Sequence, residues 1–246
     1  MSKVAIIGGS GLDKLATLTN TREHWPTTAY GKTSAPILEG SLGDREIYFL
    51  ARHGSDHSIP PHKINYRANI AALRNLDVED VLGITAVGGI APTTSPRRIV
   101  IPEQIIDYTY GREHTFSDGL DFTVQHVDFT YPFCHRLRQE LLTAASAIDI
   151  SIEAEGIYGA TQGPRLETAA EIARMAHDGC TIVGMTGMPE TSLAREAGLN
   201  YANCSLVVNW AAGIVDGTID LDEIGQNLRF GIDDVLDLVV AWLERH

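Results

Sequence analysis

Glycines and polar residues follow four predicted buried strands, at the positions where open α/β sheets bind their ligands. The first group is the loop Gly8–Gly11, and the second is the pair Arg52 and His53. Thr85 and Thr186 mark the third and fourth groups. Backbone amides, hydroxyls and an arginine fork are all donors toward a negatively charged oxygen. Together, the four groups predict a binding site for one anion the size of phosphate or sulfate.

Each group also has a simpler interpretation when it is considered alone. The glycine loop departs from the dinucleotide fingerprint, because Lys14 occupies the position of the third glycine, and a plain tight turn is the alternative. Arg52 could instead form a surface ion pair, and each threonine could be a turn or capping residue. His53, His57 and His62 are close in sequence, but glycine and proline between them prevent a shared helical face, so we expect no metal site.

Two further side chains suit the recognition of a flat heterocycle. Glu167 stands at the front of a predicted helix, and Asn209 follows the apolar run that ends at Val208. A carboxylate accepts hydrogen bonds and an amide both donates and accepts them, which matches a ring that carries N–H and carbonyl groups. Considered separately, Glu167 is typical of a helix-capping residue and Asn209 of a turn former.

The elements that position these residues alternate between strands and helices. Short apolar runs predict buried strands at Val4–Ile7, Glu46–Ala51, Val81–Ala86, Arg98–Ile101, Thr181–Gly184 and Asn203–Val208. Periodicity and composition predict helices at Asn65–Leu76, Phe133–Ile148, Leu166–His177, Glu190–Ala197 and Leu221–Arg245. This alternation indicates one α/β domain over residues 1–246, with a central mixed, largely parallel β-sheet flanked by helices.

The composition narrows the possible partners and the compartment. The chain has 246 residues, with 19 Lys+Arg against 32 Asp+Glu, and its net charge of -13 disfavours nucleic acid and anionic lipid as partners. The three cysteines form no CxxC pair, which indicates a reducing cytoplasm. The apolar runs are too short for a signal-peptide core or a bilayer span, so we expect a soluble protein.

The motifs keep the order and approximate spacing of a known family. Over nearly its whole length, the chain resembles the trimeric purine nucleoside phosphorylases and methylthioadenosine phosphorylases. The resemblance rests on Ile6–Leu12, Leu50–Gly54, Gln162–Arg165 and Val183–Glu190. It implies a homotrimer of α/β subunits in which inorganic phosphate, as a co-substrate, cleaves the glycosidic bond of a purine nucleoside. It implies no metal and no organic cofactor.

The resemblance also implies roles for individual residues. It assigns phosphate binding to Ser10, Arg52, His53, Thr85, the amide of Ala86, and Thr186. It packs Met185 against the ribose and Gly88 against the base. It brings His126 of a neighbouring subunit over the 5′ substituent of the sugar, although a surface histidine in a loop is the alternative.

Two departures from the family pattern bear on the substrate. Methylthioadenosine phosphorylases carry an Asp-x-Asp pair where this chain has Asn209 and Ala211, whereas 6-oxopurine enzymes combine a Phe-Glu-Thr segment with an asparagine. Here Leu166 precedes Glu167 and Thr168, so we expect a hypoxanthine-like base, with Asn209 on N7 and Glu167 on N1–H. A buried polar group left unpaired by the wrong base costs roughly 1–3 kcal/mol.

The segment 213–227 has no histidine at the position where nucleoside-specific enzymes bind a 5′-hydroxyl. Apolar residues are available there to contact a thioether or to join the core: Ile214, Val215, Ile219 and Leu221. The expected reaction is therefore phosphorolysis of 5′-methylthioinosine. The alternatives are a methylthioadenosine phosphorylase, a general inosine/guanosine phosphorylase, and a non-catalytic nucleoside-binding protein.

Overall fold

The computed structural model describes residues 2–9, 11–12, 18–118 and 125–246. In these ranges the strands are β1 Val4–Gly8, β2 Thr19–His24, β3 Ile37–Leu42, β4 Arg45–Ala51, β5 Asp80–Gly89, β6 Ile99–Val100, β7 Gln104–Asp107, β8 Ile152–Glu153, β9 Ile157–Ala160, β10 Ile182–Gly184 and β11 Asn200–Trp210. The helices are α1 Tyr66–Asn75, α2 His135–Ala147, α3 Ala169–His177, α4 Gly187–Glu196 and α5 Leu221–Leu243, with a short 3-10 helix at Pro61–Lys63.

All of these strands belong to one mixed sheet. Its main path runs β2-β3-β4-β1-β5-β10-β9-β7, and β11 pairs with both β5 and β6. Strands β4, β1, β5 and β11 are mutually parallel neighbours, as are β10, β9 and β7, whereas β2, β3 and β4 form an antiparallel meander. The predicted α/β fold with a mixed, largely parallel sheet is confirmed.

Strands β5 and β11 form the centre of the sheet. Nearly every residue of both strands is buried, because helices cover the sheet on its faces and central parallel strands are apolar on both sides. Helix α5 packs on β11, and α2 packs on α5. No helix in the described ranges is both long enough and apolar enough to span a membrane.

The carboxyl end of β5 is the meeting point of three strands. Gly88 is the register partner of Val183 on antiparallel β10 and of Asn209 on parallel β11. A Cβ at Gly89 would lie 1.9 Å from the carbonyl oxygen of Thr94, so the backbone here approaches too closely for any side chain. This convergence places residues from distant parts of the sequence around one point.

Several predicted boundaries were wrong. Strand β5 continues three residues beyond Ala86 to Gly89, so Thr85 lies in the interior of the strand and not near its end. Asn209 also lies inside its strand, beside a register shift between Val207 and Asn209. Helix α3 begins at Ala169 and not at Leu166, because the side chain of Thr168 caps the helix.

Candidate active site

A cavity of about 190 Å³ lies where β1, β4, β5, β10 and β11 end. Its lining includes these residues predicted for the site: Arg52, His53, Thr85, Ala86, Gly88, Leu166, Glu167, Met185, Thr186, Asn209, Ala211 and Ile219. Ser10 lies outside the described residues. His126 is exposed and does not line this cavity within the single chain. Sequence positions far apart therefore converge on one cavity.

Arg52 is completely buried, and the protein itself uses most of its donors. Its Nε and Nη2 atoms donate to the two carboxylate oxygens of Glu190, at 2.6 and 2.7 Å. Nη1 donates to the carbonyl of Ile84 at 2.8 Å, and Nη2 also donates to the carbonyl of Ile7 at 3.3 Å. A guanidinium has five N–H groups, so within the described residues one N–H on Nη1 is left for a ligand.

This geometry corrects two expectations about Arg52. The ion pair is buried and not at the surface, and the guanidinium does not offer a free two-pronged fork to an anion. The pKa of Arg52 is raised: burial alone would lower it, but the carboxylate of Glu190 outweighs that effect. A Cβ on Gly9 would lie 3.0 Å from Nη1, so the glycine keeps access to that nitrogen open.

His53 lines the same cavity as a neutral imidazole. Its Nδ1 atom lies 2.8 Å from the carbonyl of Ile59, which can only accept, so Nδ1 carries the proton and Nε2 is an acceptor. Burial lowers the pKa of His53 to about 4, although the bond to Ile59 opposes this shift and the charge of Arg52 adds to it. His53 therefore brings no positive charge to the site near neutral pH.

The two threonines of the predicted phosphate site lie on different elements. The hydroxyl of Thr85 donates to Asn203 at 3.2 Å and lies 3.0 Å from the hydroxyl of Ser205, both on β11. Thr186 is the residue before α4, yet its hydroxyl makes no capping hydrogen bond within the described part of the chain. Capping therefore does not explain this buried hydroxyl, which lines the cavity at the helix N-terminus.

Glu167 is likewise not the capping residue of its helix. Thr168 and Glu171 form the capping box of α3, with hydrogen bonds of 3.1 and 2.7 Å. Glu167 instead accepts a hydrogen bond of 2.6 Å from the hydroxyl of Thr161. Thr161 directly follows β9, so this bond joins the two ends of the loop 161–167 and holds the carboxylate of Glu167 in place.

Asn209 faces the cavity beside the bulge in β11. Its Nδ2 atom donates to the carbonyl of Trp210 at 2.7 Å, which fixes the plane of the amide. An amide nitrogen has two hydrogens, so a second one is available to a ligand acceptor. The carboxylate of Glu167 and this amide line the same cavity and supply complementary hydrogen-bonding groups.

The apolar end of the cavity differs from the prediction. Ile219 lines it, together with Ile224 of α5, which the sequence did not single out. Val215 and Leu221 are exposed, and Ile214 packs against a satellite core cluster. Of the four apolar residues expected near a thioether, Ile219 is thus the one in contact with this cavity.

Arg112 connects two loops of the site, and no sequence pattern pointed to it. It donates to the carbonyls of Thr161 and Gln162 at 3.1 and 2.7 Å, and to those of Met185 and Met188 at 2.8 and 2.6 Å. The first loop leads to Glu167, and the second carries the predicted ribose and phosphate contacts. Arg112 therefore fixes the distance between two walls of the cavity.

Comparison with known proteins identifies the family. The model of the phosphorylase superfamily matches residues 3–244. The chain is 51% identical over 237 residues to a probable S-methyl-5′-thioinosine phosphorylase from Xanthomonas campestris, covering 96% of this chain and 95% of that protein. It is 44% identical over 246 residues to a 6-oxopurine nucleoside phosphorylase from Pyrococcus furiosus, covering 98% and 92%.

Solved structures agree with this match. Methylthioadenosine phosphorylase from Schistosoma mansoni, in complex with adenine, superposes with a TM-score of 0.91 at 34% identity, covering 99% of this chain and 91% of that chain. A variant of the enzyme from the same organism, in complex with methylthioadenosine, superposes with a TM-score of 0.92 at 33% identity and the same coverage. The fold is that of a nucleoside phosphorylase. The chain belongs to the phosphorylase superfamily.

Proposed function

We propose that the protein catalyses the phosphorolysis of S-methyl-5′-thioinosine, which yields hypoxanthine and 5-methylthioribose 1-phosphate. The observation that carries this proposal is the composition of the cavity. Donors for an anion at Arg52 and Thr186, heterocycle partners at Glu167 and Asn209, and the apolar Ile219 all line it. The similarity to probable S-methyl-5′-thioinosine phosphorylases adds support.

The proposed reaction needs no nucleophile from the protein. A phosphate oxygen forms a bond to C1′ as the C1′–N9 bond breaks, and the electron pair of that bond leaves with the purine. Phosphate held by Arg52 and Thr186, with the amide of Ala86, lies beneath the developing positive charge of the sugar and stabilises it. The hydroxyl of Thr85 does not donate to the phosphate, because its one hydrogen is directed to Asn203. His53 accepts a hydrogen bond at Nε2 from a protonated phosphate oxygen.

The departing base gains negative charge, and two side chains meet it. Asn209 donates a hydrogen bond to N7, and this bond strengthens as negative charge develops on the leaving purine. The released purine anion then takes up its proton from solvent. Glu167 accepts from N1–H, which hypoxanthine has and adenine lacks. Because Thr161 donates to one carboxylate oxygen of Glu167, the other oxygen is directed to the base. These roles favour a 6-oxopurine.

The sugar end and the assembly complete the proposal. Met185 packs against the ribose, and Ile219 with Ile224 offers an apolar surface to a methylthio group. His126 of a second subunit covers this end in a homotrimer. The enzyme acts in the cytoplasm and uses no metal or organic cofactor.

A substrate panel with and without phosphate tests this function. Purified protein is incubated with methylthioinosine, methylthioadenosine, inosine and adenosine, and base release is followed by chromatography. We expect release from methylthioinosine only when phosphate is present, and the highest kcat/KM for that substrate.

Other results of the panel would replace the proposal. Equal release of base without phosphate would identify a hydrolase. Tight purine binding without turnover would identify a non-catalytic binding protein. A higher kcat/KM for inosine would indicate a general 6-oxopurine nucleoside phosphorylase like that of Pyrococcus furiosus.

A further inference from the structure

The arginine beside the proposed phosphate position belongs to a buried polar network behind the cavity. Arg52 and Glu190 have side-chain exposures of 0% and 1%, and Glu190 lies in the first turn of α4. Its Oε1 atom also accepts a hydrogen bond of 2.7 Å from the hydroxyl of Tyr201 on β11. A Cβ at position 83 would lie 2.0 Å from that hydroxyl, so Gly83 makes room for the network.

The network determines how Arg52 meets a ligand. Both oxygens of Glu190 are held by the edge of the guanidinium that carries Nε and Nη2, and the carbonyl of Ile84 holds one hydrogen of Nη1. A bidentate pair of this kind fixes the guanidinium plane. While Glu190 is in place, Arg52 therefore cannot direct its Nε and Nη2 donors toward the cavity.

The network also determines the charge at the phosphate position. The carboxylate of Glu190 cancels the charge of Arg52, and His53 is neutral because burial lowers its pKa to about 4. The groups of the described residues that meet the proposed phosphate thus act as hydrogen-bond donors and one acceptor, with little net positive charge. Interactions that bind phosphate tightly before reaction lower KM without raising kcat.

We propose that Glu190 is a positioning residue for the phosphate co-substrate: it fixes Arg52 so that one Nη1–H meets the phosphate, and it cancels the arginine charge so that phosphate and its sugar ester do not bind too tightly for turnover. This inference rests on the phosphate role proposed above for Arg52. Nothing else in the proposed reaction requires Glu190, which does not line the cavity.

A double-mutant cycle on the KM for phosphate tests the inference. Arg52→Gln leaves the carboxylate of Glu190 uncompensated beside a dianion, and we expect a rise in KM of about 100-fold. Adding Glu190→Gln removes that repulsion and lowers the KM for phosphate again by at least about 10-fold. Glu190→Gln alone leaves an uncompensated cation, so KM for phosphate falls several-fold, by roughly three or more, and kcat falls with it.

Thermal unfolding supplies a readout that a purely structural ion pair would not change. The increase in Tm caused by saturating phosphate becomes larger in the E190Q variant than in the unmodified protein, because phosphate then compensates a buried cation. Asp80→Asn is the matched control. Asp80 is also a completely buried carboxylate, but it pairs with Arg136 at the opposite end of β5. The D80N variant loses stability and keeps its KM for phosphate.

The inference is overturned if the R52Q variant and the double variant share one phosphate KM, or if E190Q alone does not lower it. Where a single variant does not fold, the double variant decides, because it contains neither charge. In the double variant, a phosphate KM within about 10-fold of the KM of the unmodified protein supports the inference. A phosphate KM about 100-fold higher contradicts it. Turnover of the unmodified protein without phosphate would instead refute the proposed function.

Discussion

At the scale of single residues, Glu167 and Asn209 are available to a base because neighbouring groups perform the local structural roles. Glu171, and not Glu167, closes the capping box of α3. The carbonyl of Trp210 takes one hydrogen of the Asn209 amide and leaves the other. An acceptor and a donor thereby line one cavity, and their chemistry sets the base preference in the proposed reaction.

Asn209→Asp tests this pairing. The change replaces a donor by a second acceptor, which suits the 6-amino group and removes the hydrogen bond to N7. We expect the ratio of kcat/KM for methylthioadenosine to that for methylthioinosine to rise by about 10-fold or more, since one mismatched buried hydrogen bond is worth roughly 1–3 kcal/mol. Steady-state kinetics with both substrates measures the ratio. An unchanged ratio would contradict the role given to Asn209.

His53 links the proposed phosphate site to the pH dependence of stability. Burial lowers its pKa to about 4 in the folded protein, below the ordinary value of 6.5. The unfolded chain therefore binds more protons than the folded protein between these two values. The contribution of His53 to the free energy of unfolding is fully present above pH 6.5. It is lost as the pH falls toward 4, by about 3 kcal/mol in total.

His53→Asn removes this titration and isolates its contribution. Urea unfolding at pH 7.5 and at pH 4.5 gives the free energy of unfolding of both proteins. Between these pH values we expect the unmodified protein to lose about 2–3 kcal/mol more than the H53N variant, because every other group titrates in both. Equal losses in the two proteins would show that His53 is not held neutral by burial.

At the scale of elements, the predictable strands were those with a continuous apolar sequence. Strands β1, β4, β5, β10 and β11 are buried along most of their length, and hydrophobic runs marked them. Strand β2 is exposed and, among the strands of the described ranges, pairs with β3 alone, so its sequence carries no hydrophobic signal. Strand β9 has four residues, one of them a glycine, and is held by its neighbours in the sheet.

The residues of the candidate site likewise divide into those that the sequence could predict and those that it could not. Residues at the ends of apolar runs, such as Arg52 and Thr186, were predictable because a parallel sheet gathers its strand ends. Glu190 and Arg112 were not, because their partners are 138 and 73 residues away in sequence and no local pattern encodes such pairs. Motif spacing indicates what faces a ligand, whereas the groups that orient those residues emerge only from the fold.

Arg112→Lys tests whether activity requires the arginine that joins the loop at Gln162 to the loop at Met185. A lysine has three donors and no planar fork, so it cannot reach the carbonyls of both Gln162 and Met185 in the same geometry. We expect kcat/KM for the nucleoside to fall by about 10- to 100-fold, because a displaced loop misplaces the reacting groups. Steady-state kinetics with the nucleoside varied at saturating phosphate measures the loss.

Arg138→Lys provides the matched control. Arg138 is as buried as Arg112 and also donates to backbone carbonyls, of Pro102 and Ala154, but these lie away from the cavity. The R138K variant should unfold at a lower temperature and keep kcat/KM. A similar loss of kcat/KM in both variants would mean that Arg112 contributes stability alone.

At the scale of the whole molecule, the acidic exterior and the anion site are compatible because they are separate. The net charge of -13 describes a surface that repels polyanions, whereas the proposed phosphate position lies in a cavity among buried donors. The surface also includes the exposed segment around His126, which contains Val127 and Tyr131, with 38% and 72% of their surface accessible. These exposed side chains are available for contact with a neighbouring subunit.

If that segment reaches a neighbouring subunit, two defective variants should complement each other. His126→Ala damages the site of the neighbour, whereas Glu167→Gln damages the site of its own subunit. In randomly mixed trimers, a site is intact when its own subunit retains Glu167 and the neighbour retains His126, which holds for about a quarter of all sites. Activity is measured after co-refolding equal amounts of the two variants, at substrate concentrations far below KM.

We expect the co-refolded sample to reach about a quarter of the activity of the unmodified protein, well above the mean of the two variants refolded separately. Mixing the two folded variants without refolding is the control, since intact oligomers do not exchange subunits. A histidine that acts within its own subunit, or not at all, gives no gain on co-refolding, because no combination of subunits then restores a site. The recovered fraction thus distinguishes a site shared between subunits from one contained in a single subunit.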